Sequence, residues 1–376
     1  MSGFSEFDRA AMQRALTLAV HGLETTDPNP RVGCVIAQRD RIVGEGWHER
    51  AGERHAELAA LAAAGSAAAG ASVYVTLEPC SHQGRTPPCV EALAAAQVAR
   101  VVYAAGDPNP RVNGRGAAAL RAAGIEVEAG LMADEAAELN AGFVKRMQHG
   151  RPLVRLKLAM SLDGRTALAS GVSRWITGEM ARADVQRWRA RSSALLTGVG
   201  TVLADDPRLD VRLPDPAEGA ARRQPLRVVL DTRLRTPATA QLFAGGGEVL
   251  ILTMLGAADE ARAASLTRRG ARIESLPVKD GRLSLAAVLE RLAELEVNEL
   301  LVEAGATLAG ELLRESLVDE LLLYVAPRLL GPSARPLVAL PELHALTEAP
   351  EYTLIETQLL GEDLRLRLRP RAAATA

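Results

Sequence analysis

Apolar residues recur at Met12, Leu16, Ala19, Val20 and Leu23, the spacing of one helical face, so the chain opens with an amphipathic helix over 6–23 that Ser5 can cap. The period then changes. Segments 32–37 and 41–46 are short and rich in β-branched residues, and polar 38–40 between them predicts a hairpin. Helices over 55–64, 88–96, 116–123 and 134–147 then alternate with strands over 72–77, 98–104 and 125–128. Such alternation predicts an α/β fold, a sheet covered by helices. In Gln148-His149-Gly150-Arg151-Pro152, glycine and proline both oppose continuation of the helix, which places a domain boundary there and gives units 1–148 and 149–376. The pattern restarts with strands over 153–160, 194–198, 226–230, 249–253, 299–302 and 320–325 and helices over 179–191, 283–295 and 308–317. The tail, 352–360 and 364–369, alternates as an antiparallel edge pair does.

A length of 376 residues suits two or three domains, and 48% hydrophobic with 24% charged residues is ordinary for a folded chain. Forty-four basic residues against 46 acidic leave a net charge of -2, which offers no positive field for coating nucleic acid or anionic lipid. Cys34, Cys80 and Cys89 are too few and too odd in number for a disulfide framework, so a reducing compartment is expected. Residues 1–23 show no signal-peptide pattern, and no stretch approaches the roughly 20 apolar residues of a membrane span. A soluble, cytoplasmic protein is expected. Lysine occurs only at Lys145, Lys157 and Lys279, and Lys157 interrupts an apolar strand pattern. An unpaired buried ammonium is costly, so Lys157 must end at solvent or at an acceptor, as in a cleft at a strand end.

His55-Ala56-Glu57 is followed by Pro79-Cys80 and then Cys89. One imidazole and two thiolates suit zinc, and three protein ligands leave a fourth position open, as in catalytic sites, where the pKa of a bound water falls to about 7. Glu57 is then the carboxylate that moves protons without ligating the metal. His55 starts one predicted helix and Cys89 follows Pro87-Pro88 at the start of another, where the positive helix end favours thiolate. A closed structural zinc would need a fourth ligand from His82, His48 or Cys34, and Cys34 reads as core because its strand is apolar. His-x-Glu followed by Pro-Cys-x-x-Cys marks zinc deaminases, and here the gap between the cysteines is longer, so 81–88 forms a loop.

Asn29-Pro30-Arg31-Val32-Gly33, Gly46-Trp47-His48, His55-Ala56-Glu57 and the string from Thr76-Leu77-Glu78-Pro79-Cys80 through Arg85 to Pro88-Cys89 together resemble the deaminase half of the bifunctional riboflavin-biosynthesis deaminase/reductases, long cysteine gap included. The resemblance implies zinc on His55, Cys80 and Cys89, proton transfer by Glu57, and a phosphoribosylated pyrimidine held by Asn29, His48 and Arg85. Without it, Asn29 reads equally well as a turn residue before Pro30.

The second unit carries Lys157 to Arg165, Trp175-Ile176-Thr177-Gly178, Thr197 to Pro207 and Val302-Glu303-Ala304-Gly305 to Gly310. The last is a strand, a glycine turn and a helix start, whose N-H groups can bind phosphate. It lacks a Walker A ending, and Gly198-Val199-Gly200 lacks the spacing of a dinucleotide fingerprint. These segments resemble the reductase half of the same family, which implies a dihydrofolate-reductase-like fold using NADPH. The resemblance carries cofactor contact onto Ala159, Trp175, Thr201, Asp205, Thr232 and the turn Gly305, Ala306, Thr307, Leu308, Ala309, Gly310 and Glu311. It carries substrate contact onto Ser173, Arg189, Leu209, Arg212 and Glu303, where the two arginines suit phosphate because a guanidinium grips it in bidentate fashion. Lys157 and Asp205 are the expected catalytic pair, polarising the sugar and guiding protons.

The expectation is therefore a cytidine-deaminase-like zinc domain followed by an NADPH-dependent reductase domain. It acts on a small phosphoribosylated pyrimidine, without nucleic acid or membrane, as a homo-oligomer. Two other readings compete. One is a nucleic-acid deaminase with an unrelated C-terminal domain, which the near-neutral charge and the long cysteine gap oppose. The other is a zinc-stabilised ligand-binding protein without turnover.

Overall fold

The first helix, α1 (Glu6–Val20), begins at a reciprocal cap: Ser5 Oγ accepts from Asp8 N–H, and the Asp8 carboxylate accepts from Ser5 N–H at 2.8 Å. It stops short of the expected Leu23 because the chain turns at Gly22, where the Thr26 N–H returns to the Gly22 carbonyl. This computed structural model describes residues 3–81, 88–109, 113–214, 222–254 and 260–371, and the chain divides into units Met1–Gly150 and Arg151–Ala376.

In the first unit α1 is followed by β1 (Gly33–Gln38), β2 (Arg41–Trp47), α2 (Ala56–Ala64), β3 (Ser72–Leu77), α3 (Cys89–Ala95), β4 (Arg100–Ala105), α4 (Arg115–Ala122), β5 (Glu126–Ala129), α5 (Ala133–Leu139) and α6 (Ala141–His149). The sheet order is β2-β1-β3-β4-β5, with β1 antiparallel to both neighbours and β3, β4 and β5 parallel. Both faces are covered. Cys34, Ile36, Val73 and Val75 pack with Ala60, Leu93 and Leu120 of α2, α3 and α4, while Val35, Ala37 and Tyr74 pack with Met12, Ala15 and Leu16 of α1. Helix α2 lies so close to β2 that a Cβ at Gly44 would meet the Ala60 carbonyl at 2.4 Å. The helix expected over 134–147 is two helices. Asn140 breaks it, its backbone at φ -110° and ψ 20° outside the helical range while its side chain takes both the N–H and the carbonyl of Arg31, at 2.8 and 2.9 Å.

The second unit contains β6 (Leu153–Ser161), β7 (Arg165–Ala167), α7 (Glu179–Arg191), β8 (Ala194–Gly198), α8 (Val199–Asp205), β9 (Leu226–Leu230), β10 (Val249–Met254), α9 (Glu260–Arg268), β11 (Ala271–Leu276), β12 (Val278–Lys279), β13 (Arg282–Leu283), α10 (Leu285–Glu294), β14 (Glu299–Glu303), α11 (Ala306–Arg314), β15 (Glu320–Ala326), β16 (Arg335–Pro336), β17 (Tyr352–Leu360) and β18 (Asp363–Pro370). Its nine-stranded sheet runs β11-β10-β9-β8-β14-β6-β15-β18-β17, parallel up to β15, with the tail pair antiparallel. Helices α10 and α11 pack on one face through Leu289 and Leu312, and α7 packs on the other through Val185 and Trp188. Helices α8 and α9, strand β11 and the short strands β7, β12, β13 and β16 are not predicted by the apolar spacing. Among the described residues no helix is long and apolar enough to cross a membrane.

The starts of β6, β14 and β15 hold a buried ionic network. Arg155 donates to Glu299 and Glu320 at 2.9 and 2.8 Å, and Glu320 also accepts from Arg367 and Arg369. Burial alone would raise the Glu320 pKa, but Arg155 and Arg367 outweigh it and bring the carboxyl down to about 2. A depressed carboxylate contributes stability that is present above its unfolded pKa of about 4.3 and is lost as pH falls toward the folded value. Glu320→Gln is expected to destabilise the second unit by about 3 kcal/mol at pH 7 and to reduce its loss of stability between pH ~4.5 and ~2. Thermal unfolding at stepped pH checks this; parallel acid limbs for variant and parent count against it.

Candidate functional site

Helix α2 starts at His55, in extended conformation as its N-cap, and puts Glu57 in its first turn. Helix α3 starts at Cys89, directly after Pro88, and Cys80 follows β3. The sheet thereby brings one ligand atom each of His55, Cys80 and Cys89 within 4.8 Å of one another. His55 Nδ1 lies 3.3 Å from Cys89 Sγ and 3.5 Å from Cys80 Sγ. Tetrahedral zinc with Zn–N near 2.0–2.1 Å and Zn–S near 2.3 Å requires N···S separations of about 3.5 Å, so both the geometry and the donor set fit the ion. The Cys89 thiol, His55 and the Cys89 N–H, which donates to Cys80 Sγ at 3.4 Å, draw the Cys80 pKa down to about 4 against the effect of burial. Glu57 is 4% exposed, and burial together with the Cys80 charge raises its pKa, as suits a carboxyl that takes up and releases a proton.

His48 is buried beside the cluster, with ring centroids 5.5 Å from His55. Its Nδ1 lies 2.9 Å from the Arg54 carbonyl, which can only accept, so Nδ1 carries the proton. Burial lowers the His48 pKa, and the bare Nε2 of the neutral ring accepts from Asn29 Nδ2 at 3.1 Å. That bond fixes the Asn29 amide, leaving Oδ1 and one N–H for a ligand. Arg85 and His82 lie outside the described residues. Cys34 is fully buried in the core.

Glu78 is a residue the sequence reading quoted without assigning a role. Buried two residues before Cys80, it accepts from the Gly114 and Ala117 N–H groups at 2.9 and 3.1 Å and so ties the ligand turn to the start of α4. A second signal was also passed over: the hexapeptide Asp-Pro-Asn-Pro-Arg-Val occurs at 27–32 and again at 107–112, of which 110–112 lie outside the described residues.

In the second unit a cleft of about 1960 Å³ opens at the C-terminal ends of β6, β8, β9 and β14, where ligands of parallel sheets bind. Lys157 and Ala159 of β6, Ser173, Trp175, Arg189, Thr201, Asp205, Leu209, Arg212, Thr232 and Glu303 all line it. So do Gly305, Ala306, Thr307, Leu308 and Glu311 of the second glycine turn. Ala309 and Gly310 do not. Ala309 is buried in the sheet core, and Gly310 packs on Ala339, whose carbonyl would lie 2.1 Å from an added Cβ. Helices α8 and α11 start at Gly198 and Gly305 without a side-chain cap, and a Cβ at Gly200 would meet no protein atom within 4 Å. Open helix starts beside an exposed Trp175, 62% accessible, fit a phosphate-bearing dinucleotide.

Lys157 and Glu303 face each other across the β6–β14 register, with Nζ 4.0 Å from Oε2. The acceptor expected for Lys157 is therefore Glu303. Burial lowers the Lys157 pKa, with Glu303 opposing. Arg189 and Lys157 outweigh burial at Glu303 and hold it at about 2. The Arg189 fork expected to grip phosphate is closed on Glu303, at 2.6 and 3.0 Å. Asp205 lines the cleft at the exposed end of α8.

Residues 5–105 match the cytidine and deoxycytidylate deaminase zinc-binding region, and residues 152–366 match the RibD C-terminal domain. The chain is 50% identical to riboflavin biosynthesis protein RibD of Escherichia coli, over 96% of this chain and 99% of that protein, and 48% identical to that of Haemophilus influenzae, over 99% and 100%. Among solved structures it resembles RibD of Acinetobacter baumannii, at 46% identity and TM-score 0.90 over 97% of this chain and 99% of that one. It also resembles a diaminohydroxyphosphoribosylaminopyrimidine deaminase/5-amino-6-(5-phosphoribosylamino)uracil reductase of Thermotoga maritima, at 31% identity and TM-score 0.83 over the same shares. With relatives this similar over nearly its whole length, and a zinc-deaminase region joined to a reductase domain, the chain belongs to the RibD family of bifunctional deaminase/reductases of riboflavin biosynthesis.

Proposed function

We propose that the first unit, 1–148, removes the 2-amino group of 2,5-diamino-6-(5-phosphoribosylamino)pyrimidin-4(3H)-one by hydrolysis, and that the second, 149–376, reduces the ribosyl group of the product to ribityl with NADPH. The convergence of His55, Cys80 and Cys89 beside buried Glu57 carries the first half. When bound, zinc makes water a nucleophile near neutral pH. Glu57 takes a proton from the attacking water and passes it to the ring nitrogen, then takes the remaining proton of the added hydroxyl and gives it to the amino group, which departs as ammonia as the ring carbonyl forms. Asn29, oriented by His48, presents Oδ1 and N–H to the pyrimidine edge, and Arg85 is assigned to the phosphoribosyl group by resemblance.

When bound in the cleft, NADPH supplies the hydride. Lys157, its proton loosened by burial and only partly held by Glu303, delivers a proton to the opening sugar oxygen, and Asp205 guides protons at the rim. Trp175, Thr201, Thr232, Ala159 and the start of α11 hold the cofactor. Ser173, Leu209, Arg212 and Glu303 hold the substrate, with Arg189 acting through Glu303. A net charge of -2 supports a small-molecule substrate over nucleic acid or membrane, and three free cysteines support a reducing compartment such as the cytoplasm. Exposed Leu354, Ile355 and Leu359 on edge strand β17 support a homo-oligomer.

One assay tests the whole reading. With the diamino substrate and NADPH, the purified chain is expected to release ammonia and to oxidise NADPH only after deamination. NADPH loss without ammonia, or neither signal, contradicts it.

A further inference from the structure

Three guanidinium groups meet at one buried residue behind the cleft wall, between the cleft-lining Leu209 and Arg212. Asp210 is 5% exposed; its Oδ2 accepts from Arg208 Nε at 2.9 Å, its Oδ1 accepts from Arg212 Nη1, and its carbonyl accepts from Arg189 Nη1 at 3.0 Å. The preceding Leu209 is held in the left-handed region, φ 49°, a conformation that L-residues rarely adopt and that persists where a site over-determines the backbone.

The three arginines are not equivalent. Arg189 is buried and its fork is closed on Glu303. The side chains of Arg208 and Arg212 are 46% and 52% exposed, and both line the cleft. A guanidinium offers five N–H donors; Asp210 takes one from each, and among the described residues no other acceptor engages either group. Both forks therefore keep donors for a ligand. Positive groups around this point outnumber Asp210 and Glu303, which leaves the charge an anion needs. Tethering to a buried carboxylate also reduces the ordering cost of binding through such long side chains.

We infer that Arg208 and Arg212, set by Asp210, form a two-arginine clamp on the phosphate of the phosphoribosyl substrate, with Arg208 as a specificity-determining residue and Asp210 as a positioning residue. The inference rests on the substrate reading above and assigns roles to Arg208 and Asp210 that the sequence did not suggest. Phosphate suits the clamp because its several oxygens can accept from two converging forks at once.

The test uses the full chain, saturating NADPH, and the deaminated phosphoribosyl substrate beside its dephosphorylated counterpart. Charge-assisted hydrogen bonds of about 1.5–3 kcal/mol translate into roughly 10- to 100-fold. Arg208→Gln is expected to lower the ratio of kcat/KM for phosphorylated over dephosphorylated substrate by that factor, mainly through KM, with the KM for NADPH within about twofold of the parent. Asp210→Asn, which keeps one acceptor oxygen, is expected to lower the same ratio less than Asp210→Ala does. A folded Arg208→Gln variant with the parent's ratio overturns the clamp. So does a loss that appears in the KM for NADPH instead, because the arginines would then hold a cofactor phosphate. If the parent itself does not distinguish the two substrates, the phosphoribosyl reading fails before any variant is made, and the clamp fails with it.

Discussion

Glu57→Gln is expected to lower ammonia release by about 1000-fold or more while zinc content and the reduction of already deaminated substrate stay at the parent's level. General acid-base catalysis contributes about 10²- to 10⁴-fold, and Glu57 serves several proton transfers in one turnover, which places the loss toward the upper end. The substitution keeps the shape of a side chain that is 4% exposed, so packing changes little. What it removes is the titratable group, whose pKa burial and the Cys80 charge have raised. Ammonia assays on variant and parent decide the matter. A variant that deaminates within tenfold of the parent excludes Glu57 as the proton carrier.

Cys80→Ala is expected to abolish deamination by removing the metal. His55 and Cys89 would remain, but two ligands of three do not hold zinc tightly. Oxidation of NADPH with deaminated substrate should continue, because Lys157, Glu303 and the cleft belong to the other unit. Retained deamination in Cys80→Ala, or a parallel loss of both activities in folded protein, contradicts this assignment.

The metal cluster was legible because its chemistry is written in residue types: an imidazole and two thiols near helix starts have few other reasons to occur together. The partner of Lys157 was legible only as a requirement. The sequence demanded an acceptor, and the parallel register of β6 with β14 supplied Glu303 from far along the chain. Glu78 could not be read, since Gly114 and Ala117 lie 36 and 39 residues away and reach it only through the sheet topology. The turn from Gly305 to Glu311 shows a different limit. A small residue reads the same whether it leaves room for a ligand, as Gly305 does, or for backbone, as Gly310 does against Ala339. Helicity over 134–147 was legible from apolar spacing, but the break was not, because it comes from a tertiary bond between Asn140 and Arg31. Strand β11 shows only Ala271 and Ile273 in alternation with Arg272 and Glu274, too short a run to stand out until its parallel register with β10 places it at the sheet edge.

The account turns on a metal held by three side chains in the first unit. Elemental analysis of the purified, folded and dialysed chain tests that most directly. It should find one zinc per chain, bound by His55, Cys80 and Cys89 and therefore lost in Cys80→Ala. Folded, active protein without a stoichiometric metal, or with zinc retained in full by Cys80→Ala, would contradict it.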